Sequence, residues 1–146
     1  MNKPNEPLTG LEQARQLLAN GGEGPMMQLL NLSVAEIELG RCVVAAVPES
    51  RFENSMGRMH GGFAATLIDT AMGWAVLSKL PARVGFGTID LGIKYVRKLD
   101  SNSGTLFATA TVLHAGRSML TAEAKVADAA GVLYAHGTGT FLVYPT

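Results

Sequence analysis

Hydrophobic and polar positions follow two different periods along this chain, and the first is helical. Near the start of the chain, four apolar side chains recur on one helical face: Leu11, Ala14, Leu17 and Leu18. Thr9 precedes them and Glu12 follows three residues later, which is the spacing of a capping box. We predict an N-terminal helix that ends at "NGGEGP", where glycine and proline break the pattern.

From residue 33 the period changes to two, which is typical of strands. In "SVAEIEL" this alternation predicts two opposite faces, one with Val34, Glu36 and Glu38 and the other with Ala35, Ile37 and Leu39. A Gly40-Arg41 turn and the apolar "CVVAAV" follow, so the segment predicts a hairpin.

Residues 61–80 form the longest helical pattern. Apolar residues recur there at spacings of three and four: Ala64, Leu67, Ile68, Ala71, Ala75 and Leu80. Pro81 ends the pattern. At about 1.5 Å per residue the helix is about 30 Å long, which indicates one central helix in so small a chain.

Four further alternating segments follow this helix, in residues 85–96, 104–114, 118–128 and 132–144. Consecutive strands with short turns pair antiparallel. We therefore predict an α+β fold in which an antiparallel sheet of about six strands wraps around one long helix, with an extra N-terminal helix. The predicted organisation is a flexible tail (1–8), a helix with its linker (9–24) and one domain (25–146).

Composition narrows the class of protein. The chain has 146 residues and 47% hydrophobic residues, enough for one full core. Only 16% are charged, below the usual ~25%, which indicates a surface covered by another subunit. The net charge of zero argues against a nucleic-acid partner. Without an apolar leader or a continuous apolar 20-mer, we expect no signal peptide and no membrane span, hence a cytoplasmic protein.

The lone cysteine, Cys42, permits no internal disulfide and no zinc cluster. It lies in an apolar strand segment, so we interpret it as an inert core thiol. No metal is expected anywhere in the chain.

Candidate chemistry lies in "NSMGRMHGGFAATLID", residues 54–69, where His60-Gly61-Gly62 opens the long helix. A helix N-terminus carries unpaired N–H groups and partial positive charge. Glycine lets another group approach that backbone closely, as an oxyanion hole requires. The alternative is that these glycines only shape a tight entry into the helix and that His60 is an incidental loop residue.

Asp69 is a carboxylate on the same helix among apolar neighbours. It is either a surface residue on a polar stripe with Thr66 and Thr70 or a functional acid. Eight residues at about 1.5 Å each place it about 12 Å along the axis from Gly61, too far for one carbonyl to touch both. If two copies of the helix pack antiparallel about a two-fold axis, Asp69 of one copy lies near Gly61 of the other. We therefore predict a homodimer with composite active sites.

Asn54, Gly57, His60-Gly61-Gly62 and Asp69, with the segment "HAGRSMLTAEAKVADAAGVLYAHGTGTF", resemble the hotdog-fold acyl-CoA thioesterases of the phenylacetic-acid-degradation type. The resemblance covers roughly residues 25–143. It implies a hotdog fold, a homodimer and often a homotetramer.

The resemblance also implies roles. Asp69 attacks the thioester or activates a water, and the Gly61 N–H binds the thioester oxygen. His60 and Asn54 polarise the carbonyl or position water, and Thr88, at the start of the next strand, assists. Coenzyme A enters as part of the substrate, and no separate cofactor is implied.

Coenzyme A phosphates need cations, and the candidates are Lys94, Arg97, Lys98 and Arg117. We favour Arg97 and Arg117. Arg117 and its neighbour Ser118 match a segment that binds the pantetheine or nucleotide in the family. For each cation, a solvated surface position is the alternative.

For the acyl group, the candidate pocket residues are Met56, Gly62, Phe63, Met72 and Trp74, all of which could instead be ordinary core or loop residues. Phe63 and Trp74 favour an aromatic or medium-chain acyl group as the substrate. Two other functions stay open. One is a hotdog hydratase or dehydratase with His60 as base, and the other is a non-catalytic acyl-CoA-binding module.

Overall fold

The computed structural model describes residues 6–146 of the chain. Three α-helices and six strands account for most of them, with a short 3-10 helix at Ser50–Phe52. The helices are α1 (Gly10–Ala19), α2 (Pro25–Leu29) and α3 (Gly61–Lys79). The strands are β1 (Leu32–Glu38), β2 (Arg41–Ala46), β3 (Val84–Tyr95), β4 (Leu106–Ala115), β5 (Met119–Asp128) and β6 (Leu133–Pro145). The predicted tail over residues 1–8 lies largely outside the described residues.

The six strands form one antiparallel sheet in the order β1-β2-β4-β5-β6-β3. Consecutive strands pair as expected at β1–β2, β4–β5 and β5–β6. The expectation is wrong for β3 and β4, because β3 pairs with β6 and β2 pairs with β4. The ten residues between β3 and β4 carry the chain across the sheet, which leaves β3 at one edge.

The long helix α3 is the centre of the core, as the sequence predicted. Its apolar face is buried against the sheet, with Leu67, Ile68 and Met72 fully buried. The facing positions of β6 are glycines: a Cβ at Gly139 would lie 2.9 Å from the Met72 methyl, and one at Gly137 would lie 3.4 Å from Ile68. The "HGTGTF" segment therefore lets the helix approach the sheet closely.

Strand β1 departs from the predicted alternation. A bulge between Val34 and Glu36 shifts the register, so that Val34 and Ile37 both pack against the core. The prediction that they face opposite ways is wrong, because a bulge inserts one residue and moves every later side chain to the other face.

The N-terminal helix α1 packs against the end of α3. Thr9 and Glu12 form the predicted capping box, with the Glu12 carboxylate accepting from the Thr9 N–H at 2.9 Å. Ala14 is fully buried, and the Gly10 N–H donates to the Leu80 carbonyl at 2.9 Å. These contacts fix the first half of α1 at the carboxyl end of α3.

Candidate active site

The first turn of α3 leaves one backbone donor open. The N-cap residue is His60, whose Nδ1 accepts from the Gly62 N–H at 2.9 Å, and its carbonyl accepts from the Phe63 N–H at 2.9 Å. The Gly61 N–H has no acceptor among residues 6–146. The positive end of the helix dipole therefore presents a single free N–H, the one that the sequence proposed for a substrate oxygen.

The hydrogen bond to His60 also determines which ring nitrogen can donate to a substrate. A neutral imidazole whose Nδ1 accepts a hydrogen bond carries its hydrogen on Nε2. The exposed His60 ring therefore offers a donor next to Gly61. This arrangement suits the polarisation of a carbonyl, and it gives the ring a structural role as the helix cap.

Asn54 organises the loop that leads to the helix. Its side-chain oxygen accepts from the N–H groups of Met56 at 2.9 Å and Arg58 at 3.3 Å. Its backbone N–H donates to the Arg58 carbonyl at 2.7 Å. Because the amide oxygen is occupied in this turn, the group that Asn54 can offer to a ligand is its side-chain NH2.

Asp69 lies in the middle of α3, half-buried, and has a partner on the neighbouring strand. The Thr88 hydroxyl donates to Asp69 Oδ1 at 2.9 Å. The structure therefore brings together Asp69 and Thr88, two residues to which the family resemblance assigned roles, and orients the carboxylate toward the edge strand β3. Asp69 and Gly61 remain about 12 Å apart along the helix axis.

A cavity of about 190 Å³ lies beside Gly61 and is lined by Asn54, His60, Arg58, Arg97 and Lys98, among others. Two of these, Arg97 and Lys98, are predicted cations. Lys98 pairs with Asp100 at 3.4 Å. Lys94, by contrast, lies exposed within β3 and does not line this cavity.

Tyr95 is a residue of this site that sequence reasoning missed. Its hydroxyl donates to the Gly61 carbonyl at 2.7 Å, and it lines the same cavity. The only signal was its place inside "KYVRK" between two candidate cations. Arg58 was missed as well, because nothing in the loop pattern indicates which way its side chain points.

The expected acyl-pocket residues do not lie together in the structure. Phe63 stacks on Phe52 with ring centroids 5.3 Å apart, and with Gly62 it lines a cavity of about 420 Å³ next to His60. Trp74 is partly buried and donates from Nε1 to Met27 Sδ at 3.3 Å. Met56 is 79% exposed in the loop.

Three expected positions lie away from Gly61 within the single chain. Met72 is fully buried in the core, so within the described chain it reaches no open surface. Arg117 and Ser118 lie at the turn between β4 and β5, and Arg117 lines a cavity with Lys79 and Leu80. That is the opposite end of α3 from Gly61, about 27 Å along the axis, because the β4–β5 turn points toward the carboxyl end of the helix.

Neither a spanning helix nor a grouped metal site is found in residues 6–146. No helix there is long and apolar enough to cross a membrane. No three His, Cys, Asp or Glu side chains there come together in a way that could hold a metal ion.

Comparison with known proteins adds a family match and a close relative. A family model described as the thioesterase superfamily matches residues 56–135, more than half of the chain. A Halobacterium salinarum protein with a provisional esterase designation is 44% identical over 96 residues, 60% of this chain and 62% of the relative. The chain therefore spans about three fifths of that curated relative.

Solved structures with the same fold superimpose on most of this chain. A conserved protein from Pseudomonas aeruginosa superimposes with a TM-score of 0.77 at 31% identity, over 83% of this chain and 94% of that one. The E. coli PaaI protein from the phenylacetic acid degradation operon superimposes with a TM-score of 0.79, over 92% of this chain and 95% of that one. At 22% identity, the second likeness shows a shared fold.

Proposed function

The chain belongs to the thioesterase superfamily and has the hotdog fold, and on that premise we propose that it hydrolyses an acyl-coenzyme A to a free acid and coenzyme A. The observation that carries the proposal is that α3 has both an open N–H at Gly61 and a carboxylate, Asp69, that accepts a hydrogen bond from Thr88. Those are the two groups that thioester hydrolysis needs, an oxyanion donor and a base or nucleophile.

The proposed active site takes its two halves from two subunits. Within one chain, Asp69 and Gly61 are too far apart for one thioester. The edge strand β3 supports a two-fold partner: Ile89 is 58% exposed and Leu91 37%, on a twelve-residue strand with one open edge. Such an edge is a ready template for pairing with another chain. Pairing of β3 with its copy sets two α3 helices antiparallel side by side.

The chemistry follows from this arrangement. The thioester oxygen accepts from the Gly61 N–H of one subunit, beside the His60 ring. Asp69 of the other subunit removes a proton from water, whose oxygen then bonds to the carbonyl carbon. In the alternative route Asp69 attacks that carbon itself and forms a mixed anhydride, which a water then hydrolyses to the free acid and the restored carboxylate. The carbon–sulfur bond breaks, and coenzyme A leaves as the thiolate and is protonated. The Thr88 hydroxyl orients the carboxylate through its hydrogen bond to Oδ1.

Coenzyme A binds on the Gly61 side in this proposal. Arg58, Arg97 and Lys98 line the cavity next to that glycine and supply positive charge for phosphate groups. Arg117 and Ser118 contribute only if a partner subunit brings them near, for example in a tetramer. The same proposal includes a cytoplasmic location, where acyl-coenzyme A substrates are available.

The test is a thiol-release assay with a panel of aromatic and straight-chain acyl-coenzyme A thioesters. Wild type is compared with two variants. Asp69→Asn keeps the size of the side chain and removes its charge, and Asp69→Ala removes the carboxylate altogether. We expect both variants to lose about 100-fold or more in kcat, the scale of a lost general base. Full rates in the variants would contradict the role of Asp69. Thioester binding without hydrolysis by wild type would instead favour a non-catalytic binding module.

A further inference from the structure

Tyr95 joins the edge strand of the sheet to the first turn of the long helix. It is the last residue of β3, and its hydroxyl donates to the Gly61 carbonyl of α3 at 2.7 Å. A carbonyl oxygen only accepts hydrogen bonds, so the phenol is the donor. Because that oxygen has two lone pairs, it can accept this bond in addition to one from the helix. The opening peptide of the helix is therefore tied to a residue 34 positions further along the chain.

The peptide that Tyr95 contacts leads on to His60. The Gly61 carbonyl and the Gly62 N–H belong to one planar amide group. The Gly62 N–H donates to His60 Nδ1 at 2.9 Å. The phenol, the amide and the imidazole thus form a continuous series of hydrogen bonds, which we call the Tyr95–His60 network. Such bonds strengthen one another, because a donor to the amide oxygen makes the amide N–H a better donor.

The network ends at His60 Nε2. A neutral imidazole carries one N–H, and a bond accepted at Nδ1 leaves that hydrogen on Nε2. The opposite tautomer would turn an N–H against the Gly62 N–H and leave a lone pair on Nε2. In the proposed reaction the thioester oxygen gains negative charge and requires donors. The tautomer of His60 therefore decides whether its ring supports or opposes the Gly61 N–H.

Two glycines make room for the Tyr95–His60 network. A Cβ at Gly61 would lie 3.2 Å from the Tyr95 hydroxyl oxygen, and one at Gly62 would lie 3.0 Å from His60 Nδ1. Both distances are shorter than an ordinary van der Waals contact. The two glycines after His60 thus have separate steric reasons: the first admits the phenol and the second admits the imidazole.

The hydroxyl of Tyr95, rather than its ring, accounts for its place in the site. The residue is 55% exposed and lines the cavity of about 190 Å³ beside Gly61. A phenylalanine ring would fill the same space, so the hydroxyl adds only the bond to the carbonyl. Because its hydrogen is engaged there, the phenol does not donate to a ligand. Its effect on a substrate must pass through the peptide.

We propose that Tyr95 is a positioning residue of the proposed active site, and that its hydroxyl acts through the Gly61–Gly62 peptide to hold the His60 ring as an Nε2–H donor toward the thioester oxygen. The inference rests on the proposed thioesterase function. Tyr95 does not touch the reacting atoms in this proposal. Its effect on the reaction therefore disappears when the imidazole of His60 is absent.

Tyr95→Phe removes the hydroxyl and keeps the ring. The matched control is Tyr144→Phe in β6. The Tyr144 hydroxyl also donates to a backbone carbonyl, that of Phe86 at 3.0 Å, and the residue is 47% exposed. Both variants thus lose one phenol-to-carbonyl bond at a similar exposure, but Tyr144 does not line the cavity beside Gly61.

The kinetic experiment measures kcat and KM with an acyl-coenzyme A that wild type hydrolyses. We expect Tyr95→Phe to lower kcat about three- to tenfold, the scale of one hydrogen bond, with KM nearly unchanged. Tyr144→Phe should keep the wild-type values. In a His60→Ser background, where serine still caps the helix without an imidazole, Tyr95→Phe should cause no further loss. The same loss in that background, or full kcat in Tyr95→Phe alone, overturns the proposal.

The tautomer of His60 is measured directly by nitrogen-15 NMR of histidine-labelled protein. The chain has three histidines, so His114 and His136 serve as internal references. At about pH 8.5, where free imidazole is neutral, wild type should show the two separate His60 signals of a single tautomer. In Tyr95→Phe the two signals should move toward each other as the second tautomer becomes populated. Unchanged signals in Tyr95→Phe, or the same shift in Tyr144→Phe, contradict the proposal.

The NMR measurement needs no reaction, so it separates this inference from the proposed function. If wild type hydrolyses no thioester but Tyr95→Phe alone mixes the tautomers of His60, the positioning role stands and the thioesterase proposal fails. If wild type hydrolyses the panel and Tyr95→Phe changes neither kcat nor the His60 signals, the positioning role fails and the proposed function stands.

Discussion

Three successive residues at the start of α3 have different hydrogen-bonding roles. His60 caps the helix, Gly62 donates to that cap, and the Gly61 N–H between them finds no acceptor in the described part of the chain. The Tyr95 hydroxyl holds the Gly61 carbonyl at 2.7 Å and so fixes the orientation of this peptide. The motif thus offers one backbone donor, the Gly61 N–H, and one side-chain donor, the Nε2–H of His60.

Proline at position 61 would remove the backbone donor and add a ring beside the Tyr95 hydroxyl. Proline is well tolerated at the first helical position, and the extended His60 backbone, with ψ at 134°, suits a residue before proline. We expect Gly61→Pro to lower kcat by about 100-fold or more, the effect of losing one oxyanion donor. The control is Gly61→Ala, which makes the same 3.2 Å Cβ contact with the Tyr95 hydroxyl but keeps the N–H. Similar rates for the two variants would exclude Gly61 as the donor.

Cys42 is fully buried, and burial raises the pKa of its thiol to about 12. Thiol reagents should therefore react with it only after unfolding. In the unfolded chain the thiol ionises near pH 9.0, so its contribution to stability is complete below that pH and is lost as pH rises toward 12.

The measurement for Cys42 is the free energy of unfolding in urea, for wild type and Cys42→Ala, from neutral to alkaline pH. Above about pH 9 the free energy of unfolding of wild type should fall relative to that of Cys42→Ala. A constant difference, together with rapid labelling of the folded protein, would show that the thiol is accessible.

At the scale of elements, close approach depends on glycines. Gly137 and Gly139 let β6 lie against α3, and Gly10 lets α1 lie against the last turn of α3. A Cβ at Gly10 would lie 1.8 Å from the Leu77 carbonyl oxygen, a backbone atom that cannot move independently. The absence of a side chain at position 10 therefore sets how closely α1 can approach α3.

Gly10→Ala should therefore destabilise the protein by about 1 to 3 kcal/mol, as overpacking does. The control is Gly73→Ala, the same chemical change where a Cβ meets only an ordinary 3.8 Å contact. That variant should gain up to about 1 kcal/mol from helix propensity. Thermal or urea unfolding measures both, and equal stabilities would show that α1 is not held by this contact.

At the scale of the whole molecule, the proposed active site requires two chains. A dimer that contains one Asp69→Ala subunit and one Gly61→Pro subunit keeps one intact pair of catalytic groups across its interface. When it is purified through two different tags, it should show about half of the wild-type activity. If each site lay within one chain, the mixed dimer would be as inactive as either parent.

The sequence alone determined the main elements and the resemblance to a thioesterase family. Helical and strand periods are local properties, so α1, α3 and the later strands were predicted near their observed bounds. The capping box at Thr9 is local as well. The Gly61–Asp69 spacing along a helix also follows from local geometry, so the helical rise by itself argues against a site within a single chain.

Only the tertiary structure decided which strands are neighbours and which side chains meet. Strand order, the bulge in β1, the Asp69–Thr88 bond and the Tyr95–Gly61 bond all join residues distant in sequence. For the same reason Met72 proved to be core and Arg117 proved to lie at the far end of α3. The period of a segment indicates which residues share a face, but what that face packs against depends on how the whole chain folds.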